Sequence, residues 1–343
     1  MKDRVLIVGN TSTDYHIGSA FLRSAKELDL VVETCDTNWE NYAPSMSSIF
    51  GRVFFKVSGK RPIESWKFNR NLTEEIHKFR PQIIIVTGIF PLSNSFFEVA
   101  GQVNAKTVNY LTDYPWNPHH YSPRFLKNLK DYDLICSTKS AILSELISYG
   151  VKKAEFVSFA YDPFVHHLPQ ECAAAKTGEF DADVAFIGFA DRERLPHLNA
   201  LTAIHDLNLK IYGQRWEDIA VDKWKKFPAV FGNEMRMAIS SAKIVLGIVR
   251  KRNLDQSTMR TFEIPACGGC GIYEDTQEHR KILAGYPEYG FFSSPEDLAD
   301  KCQWLLEHPI EREEMRKLGI QIIVNDSNTY TSRLKTILEM CNG

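Results

Sequence analysis

The sequence predicts an α/β protein made of two doubly wound, Rossmann-like domains. Three observations lead there. Short apolar runs recur along the 343 residues, several of them followed by helical periodicity or turn residues. Some of these runs, such as 82–88, are apolar without alternation, as strands of a parallel sheet covered on both faces must be. The alternation lapses over residues 164–181 and then begins again, which divides the chain into two parts of similar size.

Taken in order, Val5-Leu-Ile-Val-Gly-Asn10 is a buried strand ending at a glycine. Gly18–Leu30 follows, with Ala20, Phe21, Ala25 and Leu28 on one helical face. The turn between them lacks the G-x-G-x-x-G of a dinucleotide site. Val31-Val-Glu-Thr34, Gln82–Gly88, Thr107–Thr112, Leu134–Ser137 and Glu155–Phe159 continue a first domain over residues 1–163. Residues 164–181, which include the adjacent His166 and His167, have no sustained period and read as a linker. A second domain over 182–328 starts with Asp183-Val-Ala-Phe-Ile-Gly188 and adds strands at Leu209–Gly213, Lys243–Val249, Cys270–Tyr273 and Tyr289–Phe292. Helical stretches at 296–307, 311–324 and 329–341 close the chain, and the helix within 329–343 is expected to pack back on the first domain. Open α/β sheets bind ligands outside the carboxyl ends of their strands, so a central cleft faced by both domains is the expected site.

Composition narrows the function classes. Hydrophobic residues make up 44% and charged residues 24%, as in soluble globular proteins. A formal net charge of −2 argues against nucleic acid as a partner. No apolar run reaches membrane-span length, and Met1-Lys-Asp-Arg-Val-Leu-Ile7 has no signal-peptide pattern, so a cytoplasmic location is expected. Seven cysteines, an odd number, lie mostly in apolar segments. Cys267-Gly-Gly-Cys270 has no second pair to complete a zinc site, which favours reduced, buried thiols.

Residues 45–58 place Met46, Ile49, Phe50, Val53, Phe54 and Val57 on one helical stripe. From Arg52 to Arg70 six basic residues face one acid, Glu64, with Phe55, Trp66 and Phe68 interleaved. The expectation is a core-packing helix with a solvated basic face. The alternative is peripheral contact of residues 45–70 with the inner face of an anionic membrane, or with an acidic acceptor.

The segment Asp255–Gly269 carries the chemistry. Asp255 and Glu263 are separated by seven residues, with Arg260 between them, and the segment ends on Ala-Cys-Gly-Gly. Flanked by apolar runs, it reads as a loop and helix joining two strands. Such a unit aims backbone N–H groups and the positive helix end at one spot, which suits a phosphate, while a carboxylate one turn in suits a sugar diol. An ordinary buried helix of a doubly wound sheet fits the same spacing.

Arg260-Thr-Phe-Glu-Ile-Pro-Ala-Cys-Gly-Gly269 resembles the donor-site motif of the CgeB-like glycosyltransferases, a branch of the two-Rossmann-domain (GT-B) sugar transferases. Asp183–Gly188 followed by Arg192 and Arg194 resembles the opening of that family's second domain, and Leu209-Lys-Ile-Tyr-Gly-Gln-Arg-Trp216 resembles its next strand. Thr112-Asp-Tyr-Pro115 is similar to the family's Asp-Asp-Pro turn, and Phe159-Ala-Tyr-Asp-Pro163 to its exit from the first domain. The likeness runs from about residue 105 to 335.

The resemblance implies transfer of a sugar from a nucleotide-diphosphate donor to a glycan, lipid-linked or protein acceptor, with no cofactor and no metal. It places Glu263 on the donor ribose, since one carboxylate can accept from two vicinal hydroxyls. Asp255 takes the position that touches the transferred sugar, although the family pattern has a glutamate there and a solvated loop aspartate fits as well. Arg260 and Thr261, held near a helix start because of Pro265, would grip the diphosphate. So would Arg192 or Arg194 after Gly188, with Gly213 on the neighbouring strand end. Asp113 is the candidate base for the acceptor hydroxyl, with His119 and His120 as runners-up. Tyr114 stands where the family has a second acid. Retention or inversion stays open. A surface or spore-coat assembly protein with this fold and a sugar-nucleotide epimerase are the other readings.

Overall fold

The computed structural model of the chain describes residues 3–38, 49–58, 63–118, 120, 122–168 and 178–342. The chain divides into two compact units, Met1–Ser158 with Tyr330–Gly343, and Phe159–Thr329. Each is built on a six-stranded sheet whose strand pairs are all parallel.

In the first unit β1 (Arg4–Gly9), β2 (Val31–Asp36), β3 (Ile83–Thr87), β4 (Lys106–Leu111), β5 (Leu134–Ser137) and β6 (Ala154–Phe156) take the order β2-β1-β3-β4-β5-β6. Helices α1 (Ile17–Glu27), α2 (Ile49–Ser58), α3 (Ile63–Phe79), α4 (Asn94–Gln102), α5 (Pro123–Asn128) and α6 (Leu143–Tyr149) connect them. Val5 to Val8 and Ile84 to Val86 are fully buried, as expected of strands covered on both faces. One core joins Leu6, Val8, Ile84 and Val86 to Phe68, Phe96 and Tyr132. Each such fully buried side chain contributes about 1.5–3 kcal/mol.

In the second unit β7 (Ala182–Ile187), β8 (Leu209–Tyr212), β9 (Lys225–Phe227), β10 (Ala242–Gly247), β11 (Gly271–Glu274) and β12 (Phe291–Phe292) take the order β12-β11-β10-β7-β8-β9. Helices α7 (Leu195–Leu201), α8 (Gly232–Ser240), α9 (Met259–Ala266), α10 (Gln277–Ile282), α11 (Pro295–Glu307) and α12 (Pro309–Ile323) flank this sheet. The chain then re-enters the first unit as α13 (Tyr330–Asn342). There Thr331 donates to Glu27 at 2.8 Å, and the Tyr330 ring meets Phe21 edge-on at 5.6 Å.

Three sequence expectations change. The stripe on α2 does not pack into a core: Ile49, Phe50, Val53, Phe54 and Val57 are exposed, Phe50 at 88%, while residues 45–48 lie outside the described residues. The edge strand β9, Lys225-Lys-Phe227, has no apolar run to announce it, since an edge strand near solvent needs none. Pro265 lies at the far end of α9 rather than early in it. There its ring packs near Gly319 of α12, and the short helix ends one residue later.

That ending explains the glycine pair. Gly268 adopts φ 80, where a Cβ is strained, and its N–H reaches Pro265 O at 2.9 Å while Gly269 N–H reaches Ile264 O at 2.8 Å. These are the two bonds of a Schellman motif. A Cβ on Gly269 would stand 2.6 Å from Ile239 Cγ2. Both glycines therefore serve the helix end and its packing.

Candidate donor site at the switch point of the second unit

Strand order fixes where a ligand can enter. From β7 the chain winds outward through β8 and β9, then returns to β10 on the other side of β7 and winds through β11 and β12. The loops leaving the carboxyl ends of β7 and β10 therefore part, and open α/β sheets bind ligands in that crevice.

The described side chains around this point are charged and cross-linked. Arg194 is buried, and its two terminal nitrogens donate to Phe189 O (2.9 Å), after β7, and Ile248 O (3.1 Å), after β10. Burial and the neighbouring Arg250 lower its pKa to about 10, so it stays charged at neutral pH. Arg260, at the second position of α9, donates Nε to Ile187 O at 3.1 Å and pairs through Nη1 with Glu263. Burial brings its pKa to about 10 as well.

Glu263 is 1% exposed, with one oxygen on Arg260 and the other 3.4 Å from His166 Nε2. Asp255 is not a solvated loop residue. It is buried, accepting from Arg250 Nε at 3.0 Å and from Asn253 Nδ2 at 2.8 Å. The residue before it, Leu254, holds φ 51 and is 38% exposed, a left-handed backbone that side chains other than glycine seldom adopt.

Thr261 is fully buried, and its hydroxyl accepts from Thr258 N–H at 3.1 Å while lying 2.9 Å from His279 Nε2. His279 Nδ1 lies 2.7 Å from Glu274 O, a carbonyl that can only accept, so Nδ1 carries the proton and Nε2 accepts from Thr261. Burial lowers the His279 pKa to about 4. The Thr261 hydroxyl thus caps α9 and anchors it to β11 and α10.

Of the two arginines after Gly188, only Arg192 is exposed. It opens a 3₁₀ turn, and its side chain makes no hydrogen bond or ion pair among the described residues, whereas Arg194 is committed to two carbonyls. Gly188 and Gly213 keep the strand ends close. A Cβ on Gly213 would stand 1.9 Å from Gly188 O, the carbonyl that accepts from Trp216 Nε1 at 2.9 Å. Cys267 and Cys270 are buried with pKa values raised to about 12 by burial, so both are thiols at neutral pH. Among the described residues no three His, Cys, Asp or Glu side chains are grouped to hold a metal ion.

In the first unit Asp113 follows β4 on the carboxyl edge. It is half-buried, accepts from Thr112 Oγ1 at 3.0 Å, and stands 3.5 Å from His120 Nε2. The two residues expected as alternatives for one role are thus brought together. His119 lies outside the described residues. Tyr114, in place of a second acid, reaches Glu145 at 3.1 Å. Sequence reasoning missed His166, Arg250, Asn253 and Glu274. For Arg250 and Asn253 the available signal was proximity to Asp255 in the chain; for His166 there was none.

This architecture has known counterparts. A family model described as "Glycosyl transferase-like" matches residues 192–339. No curated protein sequence matches the chain. Sucrose-phosphate synthase from Thermosynechococcus elongatus superposes with a TM-score of 0.69 at 12% identity, covering 99% of this chain and 98% of that one. HepE from Anabaena, solved with UDP and glucose, gives 0.66 at 10% identity over 99% of both chains. The UDP-GlcNAc 2-epimerase of Methanocaldococcus jannaschii gives 0.55 at 13% identity, over 99% of this chain and all of that one (100%). The fold is therefore GT-B, that of two-domain sugar transferases. Within it, residues 192–339 are the part similar to the glycosyl transferase-like family model.

Proposed function

We propose that the protein transfers a hexose from a nucleoside diphosphate to an acceptor hydroxyl, and that it belongs to the CgeB-like branch of these transferases. The observation that carries the reading is the convergence of Glu263, Arg260 and exposed Arg192 on the β7/β10 switch point. In the proposed complex the diphosphate draws Arg260 and Arg192 to itself. Glu263 Oε2, which Arg260 occupies here, then becomes an acceptor for the ribose diol. Arginines and the α9 N-terminus supply the positive charge a leaving diphosphate needs, so the proposed transfer is metal-independent. Asp255, held by Arg250 and Asn253, fixes the loop that borders the transferred sugar. Asp113, paired with His120, is proposed to take the acceptor proton.

The test is direct. Thermal shifts with UDP-, GDP- and dTDP-sugars identify the donor, and product analysis with candidate acceptors follows. Stabilisation by one donor with sugar transfer is expected; no stabilisation by any of them would count against the reading. An isomerised sugar formed from donor alone would point instead to an epimerase, which the structural likeness to UDP-GlcNAc 2-epimerase keeps in view. Stable binding without turnover would favour an assembly protein.

The acceptor is proposed to be membrane-linked. Support comes from α2, where exposed Ile49, Phe50 and Val57 accompany exposed Arg52 and Lys56. Apolar residues entering the interface and cations meeting anionic headgroups favour the same surface. Among the described residues no helix is long and apolar enough to cross a membrane. Co-sedimentation with phosphatidylglycerol vesicles, lost in Phe50→Ser and absent with phosphatidylcholine, is the expected result. Equal sedimentation of the variant would remove this contact.

A further inference from the structure

His166 stands in a segment that no sequence motif singles out, yet it meets the donor-site carboxylate. It is 3% exposed and lies in a tight turn: its N–H donates to Asp162 O at 2.7 Å, and Phe164 N–H donates to the Asp162 carboxylate at 3.0 Å. The turn is tied to α8, where Arg236 donates to Val165 O at 2.9 Å. The imidazole faces two partners of opposite kind. Asp162 N–H points at Nδ1 over 3.0 Å, and a backbone amide can only donate, so Nδ1 must be the bare acceptor nitrogen. In a neutral imidazole the proton then resides on Nε2, which lies 3.4 Å from Glu263 Oε1.

We infer that His166 is a positioning residue for the nucleotide: held as the Nε2–H tautomer by the Asp162 amide, it orients the Glu263 carboxylate so that the oxygen shared with Arg260 can receive the ribose hydroxyls. The inference rests on the ribose reading of Glu263. It assigns the two oxygens different work. Oε1 stays with His166 in the free and bound states, while Oε2 exchanges Arg260 for the ligand. A buried carboxylate held by arginine alone would follow the arginine when the diphosphate attracts it. The histidine keeps it in place.

The test uses the full chain and whichever of ADP, GDP, CDP and UDP binds tightest, together with its 2′-deoxy form. Titration calorimetry on the wild type is expected to favour the ribose form by about tenfold, the size of one charge-assisted hydrogen bond. His166→Ala should reduce that ratio to near unity, and His166→Gln, which restores an N–H donor, should recover most of it. If His166→Ala keeps the ratio while Glu263→Gln loses it, the inference fails and the ribose reading survives. If Glu263→Gln also keeps the ratio, both fail. Nitrogen-15 spectra of histidine-labelled protein provide a readout independent of binding and of variant folding. They should show His166 with a bare Nδ1 and a protonated Nε2 at neutral pH, and a protonated Nδ1 would overturn the assignment.

Discussion

The carboxyl edges of the two sheets handle charge in opposite ways. In the second unit Arg194, Asp255, Glu263, Glu274 and Glu278 are all less than 10% exposed, and each has a polar partner: loop carbonyls for Arg194, Asn253 for Asp255, Arg260 for Glu263, Lys251 for Glu274 and Ser257 for Glu278. In the first unit the pair Asp113 and His120 is only half-buried, its groups 3.5 Å apart. Breaking a buried pair by removing one partner costs several kcal/mol, whereas an exposed pair contributes about 0–1 kcal/mol. Changes at the second edge are therefore expected to cost stability, and changes at the first edge to cost little.

Five experiments would break or sharpen that contrast, the largest effect first. Asp113→Asn should lower the transfer rate about 10²- to 10⁴-fold while leaving nucleotide affinity and melting temperature near those of the wild type. A large loss of stability would place Asp113 among the structural charges instead. Next comes acid. His279, with a folded pKa of about 4 against 6.5 in the unfolded chain, is protonated first in the unfolded state. Stability is thus constant above the unfolded value and declines by about 1.4 kcal/mol per pH unit as pH falls from 6.5 to 4, about 3 kcal/mol in all. Urea unfolding of the wild type and His279→Gln across this window measures it, and equal slopes would show that His279 contributes nothing.

Glu263→Gln should weaken nucleoside diphosphate binding about 10- to 100-fold, the worth of a hydrogen bond to a charged group. Unchanged affinity in calorimetry would remove the ribose assignment. Gly213→Ala forces a methyl against Gly188 O, where 1.9 Å is available. Overpacking of this kind costs about 1–3 kcal/mol, seen as a lower denaturation midpoint, and a neutral result would mean the strand ends relax. Smallest of all, Arg192→Ala should leave stability within about 0.5 kcal/mol and weaken nucleotide binding a few-fold. If it has no effect on binding, Arg192 takes no part in holding the diphosphate.

Much of the fold was legible because a strand covered on both faces is apolar throughout. Leu134–Ser137 was read to the residue, and β1, β3, β7 and β10 within a residue or two. Where a face is not covered the signal vanishes, as in β9, or misleads, as in α2, whose apolar stripe reads as core but is exposed. At the candidate site the sequence placed Glu263 and Arg260 three residues apart on one helix, a spacing at which side chains meet. It could not show that the Thr261 hydroxyl is used up by His279, or that His166 reaches Glu263, because those contacts join segments that only the sheet brings together.

Arg194 has a further consequence. One rigid, planar fork spans the loops on either side of the switch point, with a carbonyl at each tip. The guanidinium thus acts as a ruler. The two loops cannot separate without breaking a bond, and they cannot close further without displacing a buried cation. A lysine at this position would keep the charge but lose the fixed span, since an ammonium is a point rather than a fork. The width of the crevice is thus written into the geometry of a single side chain.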